Sequence, residues 1–198
     1  MDLRESRVRL TRAESRARTR AHLLEAAADV FARRGFHGAS VEEVSDVAGY
    51  TKGAVYSNFA SKDELFLAVL QDRMRSQVEF LERLSEQAKA APGGSLIPPD
   101  LDWLDLKWCL LAFEFWLHAL RNPAVGERLA EVYRQFRAEL APLLAPFVSQ
   151  GMQAPDLASA AIALYEGLAL QRHLDPGAVP VDLSVRVLEG LRAPTRDK

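Results

Sequence analysis

The most chemically distinctive stretch of the sequence is Thr51-Lys52-Gly53-Ala54-Val55-Tyr56-Ser57-Asn58. It supplies hydroxyls, an ammonium, a phenol and a carboxamide, all of which donate hydrogen bonds. Donors of these types suit phosphate oxygens and the acceptor edge of guanine. Gly53 and Ala54 are small enough to let the backbone enter a groove about 12 Å wide. The stretch therefore predicts a contact with nucleic acid.

Three helices are predicted to position this stretch. Apolar residues at spacings of three and four predict the first helix over residues 20–34, with Gly35 following as a left-handed C′ residue. Ser40 and Glu43 form a capping box for a second helix of about two turns, which Gly49 ends. Thr51 then caps the third helix.

The two short helices have one apolar side and one polar side. Their apolar residues are expected to pack against the first helix; these are Val44, Val47, Val55 and Phe59. That packing leaves outward the donors and small residues Lys52, Gly53, Ala54, Tyr56, Ser57 and Asn58. Two short helices joined by Gly49-Tyr50-Thr51 have the pattern of a helix-turn-helix.

The stretch from Arg20 through Leu70 resembles the DNA-binding domain of TetR-family transcriptional regulators. The resemblance is strongest from Gly49 to Leu65 and includes the spacing Tyr56-x-x-Phe59-x-x-Lys62. It implies phosphate contacts from Ser40, Thr51, Tyr56, Asn58 and Lys62, and it places Lys52, Gly53 and Ala54 toward the bases. Asn58 stands where many members have His, and it keeps a hydrogen-bond donor there. The resemblance also implies an all-helical protein with a C-terminal ligand domain, acting as a homodimer.

Plainer interpretations of the same residues remain open. Tyr56 and Lys62 are also compatible with ordinary surface positions, and Ser40 is a capping residue before it is a phosphate contact. The DNA-binding prediction depends on the complete two-helix pattern rather than on any one of these side chains.

Charge is distributed unevenly along the 198 residues, although the formal net charge is only -2. Residues 1–20 carry seven arginines against three acids, whereas residues 21–60 sum to -2 and the remainder to -4. An Arg-rich N-terminus is usually a solvated tail, and the alternative is a basic arm that enters the minor groove. The basic excess thus lies ahead of the predicted helix-turn-helix.

The rest of the chain also has helical spacing, so the predicted fold class is all-α. We expect a helix from the Ser61 capping box to about Ala90, then a Pro- and Gly-rich interruption at 92–99. Further helices are predicted at 101–120, from Asn122 until it is bent by Pro142 and Pro146, at 155–173 and at 182–191. Two apolar stripes on 101–120 predict burial on most sides. The predicted domains are an arm at 1–17, a helix-turn-helix domain at 18–62 and a helical ligand-binding and dimerisation domain at 63–198.

Residues 101–147 hold eight of the chain's 16 aromatic residues, which permits an apolar ligand cavity as well as a packed core. Glu114 and His118, at i and i+4 in one helix, either orient a ligand or form a polar pair that is satisfied within the core. The candidate ligand-binding residues are Trp108, Leu111, Glu114, Phe115, His118, Tyr133 and Phe136.

Small residues in 155–173 allow close approach of helices, and the alternatives are a subunit interface and packing within one subunit. A dimer suits a helix-turn-helix, because such domains read paired half-sites. The candidate interface residues are Leu157, Ala161, Leu164, Leu168, Leu183, Val187 and Leu191.

The leading hypothesis is a cytoplasmic homodimeric repressor that binds a two-fold operator in double-stranded DNA and is released by a small apolar or aromatic effector. Cys109 is the single cysteine and is interpreted as structural; we expect no cofactor, metal site, catalytic residue or membrane segment. The alternatives are an enzyme built on Glu114 and His118, and a helical interaction protein that no longer binds DNA.

Overall fold

The computed structural model describes residues 11–90, 106–148 and 151–190, in which the regular elements are α-helices and one 3-10 turn. Helices α1 to α4 are followed by α5 to α8, with the 3-10 turn Ala145–Phe147 after α6. The helix bounds are α1 Arg12–Gly38, α2 Val41–Ala48, α3 Lys52–Asn58, α4 Lys62–Ala90, α5 Leu106–Arg121, α6 Pro123–Leu144, α7 Ala154–Leu174 and α8 Leu183–Gly190. The predicted all-α class is confirmed.

Helix α1 begins earlier than the sequence predicted. Thr11 accepts a hydrogen bond from the Glu14 amide while the Glu14 carboxylate accepts one from the Thr11 amide, which is a complete capping box. Residues 12–17 of the predicted basic arm therefore belong to a helix, and residues 1–10 lie outside the described part. Gly35 has positive φ as predicted, yet its ψ of 171° is extended rather than left-handed helical, and the chain kinks there.

The predicted capping boxes at Ser40 and Ser61 are half formed. Both hydroxyls accept the predicted amide, from Glu43 at 3.0 Å and from Glu64 at 3.1 Å. The reciprocal halves were predicted wrongly, because the Glu43 carboxylate binds Arg34 and the Glu64 carboxylate accepts from the Ala60 amide. Nearby donors compete successfully for these carboxylates, and spacing along one helix cannot reveal that competition.

The core of the helix-turn-helix region is filled by large side chains. Val44, Val55 and Phe59 are each 1% exposed and belong to the same buried cluster as the apolar residues of α1, so their predicted burial is confirmed. Val47 was predicted to be buried with them but is 49% exposed, because α2 is short and presents it to solvent. Gly49 ends α2 in the left-handed conformation, with φ 71° and ψ 28°.

Helix α5 connects the two halves of the molecule, since it packs against α1 on one side and against α6 and α7 on others. One predicted apolar stripe, represented by Leu111 and Phe115, is buried. The other stripe was predicted to be buried too, but Leu110, Leu117 and Leu120 are exposed, Leu120 by 79%. The first residues of the predicted helix, 101–105, lie outside the described residues.

The remaining helices agree with the predicted boundaries to within a few residues. Pro142 lies inside α6, which ends two residues later and passes into the 3-10 turn containing Pro146. Asn122 precedes Pro123 as predicted, but its side chain donates back to the His118 carbonyl instead of capping α6.

Candidate DNA-binding surface and ligand cavity

Helix α3 presents a compact set of polar groups to solvent. Lys52, Gly53, Tyr56 and Ser57 are exposed, and Tyr56 is 49% exposed. The Lys52 ammonium lies 3.7 Å from a Glu42 carboxylate oxygen, a loose pair between two exposed side chains. Such a pair contributes little to stability, so the ammonium can be redirected to an anion at small cost. Ala54 lies on the same helix and is partly buried.

Ser40 and Thr51 cap the two helices of the motif. The Ser40 hydroxyl oxygen accepts from the Glu43 amide, and the Thr51 hydroxyl oxygen accepts from the Ala54 amide at 3.2 Å. In both caps the hydroxyl uses its oxygen lone pair, so its proton can still be donated. Both side chains are exposed, which is compatible with the predicted phosphate contacts.

Asn58 and Ser57 are turned toward their own helix. The Asn58 amide donates to the Ala54 carbonyl at 2.8 Å, and the Ser57 hydroxyl donates to the same carbonyl at 2.8 Å. The donor that the sequence interpretation assigned to phosphate at Asn58 is therefore engaged in this conformation.

Lys62 has a role that sequence spacing did not reveal. Its ammonium approaches the carbonyl oxygens of Phe36, His37 and Ala39 at 2.9, 3.5 and 3.1 Å. It also lies 4.7 Å from the centre of the Phe36 ring. A lysine has three N–H donors, and these carbonyls at the end of α1 account for them. Lys62 thus caps α1, and its predicted phosphate contact has no donor left in this arrangement.

Arginines of α1 complete the surface next to α3. Arg16 donates to the Ser57 carbonyl at 3.4 Å, and Arg20 donates to the Asn58 carbonyl at 3.1 Å. The Arg20 guanidinium also lies 4.3 Å from the centre of the Phe59 ring. The sequence interpretation assigned Arg12 and Arg16 only to a basic N-terminus and began the first helix at Arg20; the missed signal was the Thr11–Glu14 capping box, which places all three on α1.

A cavity of about 170 Å³ lies within the second half of the molecule. Helices α4 to α8 all contribute residues to its wall. Its aromatic residues are Trp108, Phe113, Trp116, Tyr133, Phe136 and Tyr165. Of the predicted ligand-binding residues, Trp108, Tyr133 and Phe136 line this cavity.

The other four predicted ligand residues lie elsewhere, which corrects the prediction for Leu111, Glu114, Phe115 and His118. They occupy the face of α5 that packs on α1 and α4. Phe115 stacks on Phe66 with ring centroids 4.2 Å apart. Sequence spacing placed these residues on a buried helix but could not distinguish its cavity face from its α1 face.

The polar pair Glu114 and His118 connects α5 to the N-terminal helices. Glu114 Oε2 accepts a hydrogen bond from the Phe36 amide at 2.7 Å. His118 Nε2 lies 2.9 Å from Asp63 Oδ1 at the start of α4. Of the two alternatives left open for this pair, ligand orientation and satisfaction within the core, the geometry favours the second, although the two side chains bond other residues rather than each other. Both side chains instead join α5 to α1 and α4.

A chain of hydrogen bonds ends at a carboxylate in the cavity wall. Trp116 Nε1 donates to the Tyr133 hydroxyl at 2.9 Å, and that hydroxyl donates to Glu166 Oε1 at 2.8 Å. Burial raises the pKa of Glu166, opposed by the Tyr133 donation. Burial and the neighbouring Glu166 charge raise the pKa of Tyr133. Burial likewise raises the pKa of Cys109, consistent with a structural thiol.

The sequence reasoning missed Glu166. A usable signal was present, because Glu166 is an acid within the otherwise small and apolar run of α7. Tyr165, which also lines the cavity, was missed as well.

The predicted interface residues fall into two groups. Leu157 and Ala161 are buried within the subunit, and Ala161 lines the cavity, so the interface prediction is corrected for these two. Leu164, Leu168 and Leu183 are partly buried and Val187 is 40% exposed, while Leu191 lies outside the described residues. The solvent-facing side of α7 instead carries Ser159, Ala160 and Ala163.

No three His, Cys, Asp or Glu side chains within residues 11–90, 106–148 and 151–190 come together as metal ligands. None of the helices in those ranges has both the length and the apolarity needed to cross a bilayer.

Comparison with known proteins identifies both halves of the chain. The family model described as bacterial regulatory proteins, tetR family, matches residues 23–69. The model described as BetI-type transcriptional repressor, C-terminal, matches residues 98–191. These matches confirm the predicted resemblance, and the families are regulators of transcription rather than enzymes.

Individual proteins show similarity over most of the chain. The HTH-type nicotine-responsive transcriptional repressor HdnoR of Paenarthrobacter nicotinovorans is 29% identical over 79% of this chain and 84% of its own length. The multidrug binding protein EbrR, solved in complex with imidazole, is 27% identical with a TM-score of 0.59 over 90% of this chain and 98% of its own. A regulator from Mesorhizobium loti, 21% identical, shares the fold with a TM-score of 0.66 over 92% and 98%.

Proposed function

Since the chain belongs to the TetR family of DNA-binding transcriptional repressors, we propose that it acts as a homodimer that leaves its operator when a small molecule occupies the cavity. The observation that carries this proposal is the position of α5. Its residues Trp108, Phe113 and Trp116 line the cavity, whereas Glu114, Phe115 and His118 contact α1 and α4. One rigid helix thus borders both the cavity and the DNA-binding half.

For DNA, we propose that α3 enters the major groove with Lys52 reading a base and Gly53 and Ala54 allowing close approach. Tyr56, together with Ser40 and Thr51, would hold the phosphates on either side. The exposed positions of Lys52 and Tyr56 support this assignment. We do not propose phosphate contacts from Lys62 and Asn58, because their donors are engaged by backbone carbonyls within the protein.

We add the arginines of α1 to the proposed phosphate contacts. Arg12 and Arg16 are exposed beside the C-terminal end of α3. Guanidinium groups bind phosphate oxygens in a fixed fork, so a backbone passing this end of the recognition helix would find two donors.

For release, we propose that a bound molecule moves α5 against α1. The Phe36 amide donates to Glu114 at 2.7 Å, and the Phe36 and Phe115 ring centroids are 4.9 Å apart, so a displacement of α5 is transmitted to the end of α1. In a dimer this displacement changes the spacing of the two recognition helices, which must lie about 34 Å apart or a small multiple of that to reach successive major grooves. The required coupling is about 1–3 kcal/mol.

For the dimer, we propose that α7 and α8 form a four-helix interface with their copies. The small exposed side chains Ala160 and Ala163 allow close helix approach, and Val187 and Leu174 are exposed apolar residues on the same two helices. Ala163→Glu is expected to give a monomer in sedimentation velocity, whereas Ala130→Glu, at an exposed position of α6, remains dimeric. An Ala163→Glu protein that stays dimeric at micromolar concentration rejects this interface.

The DNA assignment is tested by substitutions measured on a selected operator and on random DNA. Tyr56→Ala is expected to weaken both about equally, and Lys52→Ala to weaken the operator by about 1–3 kcal/mol more than random DNA. Arg75→Ala, an exposed arginine far along α4, serves as the control that changes neither. Equal losses for Lys52→Ala on the two DNAs contradict a base-reading role, and affinity that ignores salt between 50 and 200 mM contradicts phosphate contacts.

A further inference from the structure

The cavity contains one acidic group whose charge is not balanced. Glu166 lines the cavity and accepts from Tyr133 through Oε1 alone. No described residue donates to Oε2, and none forms an ion pair with the carboxylate. A buried carboxylate without a cationic partner is destabilised, so a ligand that supplies the positive charge offsets part of the cost of burying this group.

The direction of the hydrogen-bond chain fixes what Glu166 offers. An indole N–H can only donate, so the Tyr133 oxygen accepts from Trp116 and its proton goes to Glu166. The chain therefore ends on an acceptor. The remaining oxygen, Oε2, is suited to receive a donor or a positive charge from the cavity.

Aromatic rings stand next to this carboxylate. Trp116 and Tyr133 have ring centroids 5.4 Å apart in an edge-to-face arrangement, and Phe113 follows at 6.1 Å from Trp116. Ring faces attract cations within about 6 Å, most strongly when water is excluded. A carboxylate flanked by aromatic rings is a combination that recognises ammonium groups.

Two arginines, Arg73 and Arg172, also line the cavity, and neither forms an ion pair with Glu166. Arg172 Nε is buried without a hydrogen-bond partner among the described residues. The Arg73 guanidinium lies 4.5 Å from the centre of the Trp108 ring. Arg172 lies six residues beyond Glu166 on α7, and it donates to the Val181 carbonyl at 3.5 Å. Neither arginine counters the effect of burial on the pKa of Glu166, which only the Tyr133 donation opposes.

We propose that the effector is an organic monocation, an amine or quaternary ammonium on a small aromatic or apolar body, whose charged group lies against Glu166 beside Trp116 and Tyr133. This proposal rests on the proposed function, because it calls the molecule in the cavity an effector only if its binding releases DNA. The volume of about 170 Å³ is close to that of an engineered cavity of about 150 Å³ that binds benzene, so a one-ring body fits.

Calorimetry on the free protein tests the charge preference without involving DNA. The probes are benzyltrimethylammonium as the cation, benzyl alcohol as the neutral compound and phenylacetate as the anion. We expect the cation to bind at least about tenfold more tightly than the other two, since pairing with a close opposite charge and desolvated cation–π contacts each contribute more than about 1 kcal/mol. Equal or weaker binding of the cation overturns the proposal, as does no binding of the cation.

Variants of Glu166 test whether the preference for the cation depends on this carboxylate. Glu166→Gln keeps an acceptor for Tyr133 and removes the charge, so it is expected to reduce cation binding at least about tenfold while leaving benzyl alcohol unchanged. Glu166→Asp keeps the charge and is expected to retain a preference for the cation. Arg172→Gln is the matched control: a loss of phenylacetate binding in this variant, with no effect of Glu166→Gln on any probe, assigns the cavity to anions and overturns the proposal.

Failure of the proposal and failure of the proposed function are separable. If the cation binds with the expected dependence on Glu166 but operator DNA is retained, the ligand class stands and the release mechanism fails. If a neutral or anionic compound releases DNA and the cation does not bind, the release mechanism stands and the ligand class fails.

Discussion

The two halves of the molecule use their interiors differently. Around α1 to α3 the interior is filled by side chains such as Phe31, Val44 and Phe59, each 1% exposed, and the polar groups of α3 are outside. The second half leaves about 170 Å³ of space and places Glu166 in its wall. DNA recognition requires fixed geometry, whereas binding a small molecule requires a cavity. The difference in packing therefore fits the functions proposed for the two halves.

The junction where α1, α4 and α5 meet is close-packed, like the interior around α1 to α3. Phe36, 2% exposed, contacts Phe31, Phe66 and Phe115, which come from α1, α4 and α5. In the proposed release mechanism, a displacement of α5 at the cavity meets this close-packed cluster, and close-packed interiors transmit strain.

The largest effect on stability is expected from a substitution within this cluster. Phe36→Ala should reduce the free energy of unfolding by about 3–5 kcal/mol, because the close-packed site cannot collapse around the deletion. Phe136→Ala, a partly buried ring at the cavity wall, should cost less than about 2 kcal/mol. Urea unfolding at fixed protein concentration measures both, and equal losses contradict the contrast in packing.

The next effect concerns the contact between Gly35 and Glu114. A Cβ on Gly35 would lie 2.8 Å from Glu114 Oε2, and φ 71° with ψ 171° is accessible almost only to glycine. Gly35→Ala should therefore destabilise by about 2–3 kcal/mol and weaken DNA binding as well.

Gly49→Ala is the control for Gly35→Ala, since it has the same φ and no atom within 4 Å of its Cβ position. It should cost about 1 kcal/mol from backbone conformation alone. If the two alanines cost the same, neither the carboxylate contact nor the ψ of 171° at Gly35 adds to the cost, which contradicts this prediction.

Enlarging one alanine in each half compares how the two interiors tolerate a larger side chain. Ala27 is 0% exposed in the filled half, and Ala161 lines the cavity. Ala27→Leu should lower stability by about 1–3 kcal/mol through overpacking. Ala161→Leu should change stability by less than about 1 kcal/mol and abolish ligand binding, because the new side chain occupies the space. Thermal unfolding and calorimetry together report both properties.

The smallest effect depends on pH. Burial raises the pKa of Glu166 above its ordinary value, so the folded protein holds this proton more tightly than the unfolded chain. The stability contribution of the protonated form is present below the unfolded pKa and is lost as pH rises through the folded pKa. Glu166→Gln should consequently be more stable than wild type at pH 7, with the advantage disappearing toward pH 4. A difference in unfolding free energy that is constant between pH 4 and 7 contradicts this.

The sequence was sufficient for the helix-turn-helix and insufficient for the cavity, for physical reasons. The motif is determined locally: Ser40, Gly49 and Thr51 each act on backbone groups within a few residues. The cavity is assembled from five helices, and periodicity places Leu111 and Phe115 on a buried face without stating what covers it. Lys62 shows the same limit, since its carbonyl partners lie more than twenty residues away in the chain.

In the proposed function, cavity occupancy and DNA binding are coupled through α5. The direct measurement is the affinity for an operator fragment, selected from the source genome, with and without a compound whose binding is lost in Ala161→Leu. The account predicts that a saturating concentration weakens operator binding by about 5–150-fold in the wild type and leaves Ala161→Leu unchanged. An operator affinity that is the same with the cavity filled and empty contradicts it.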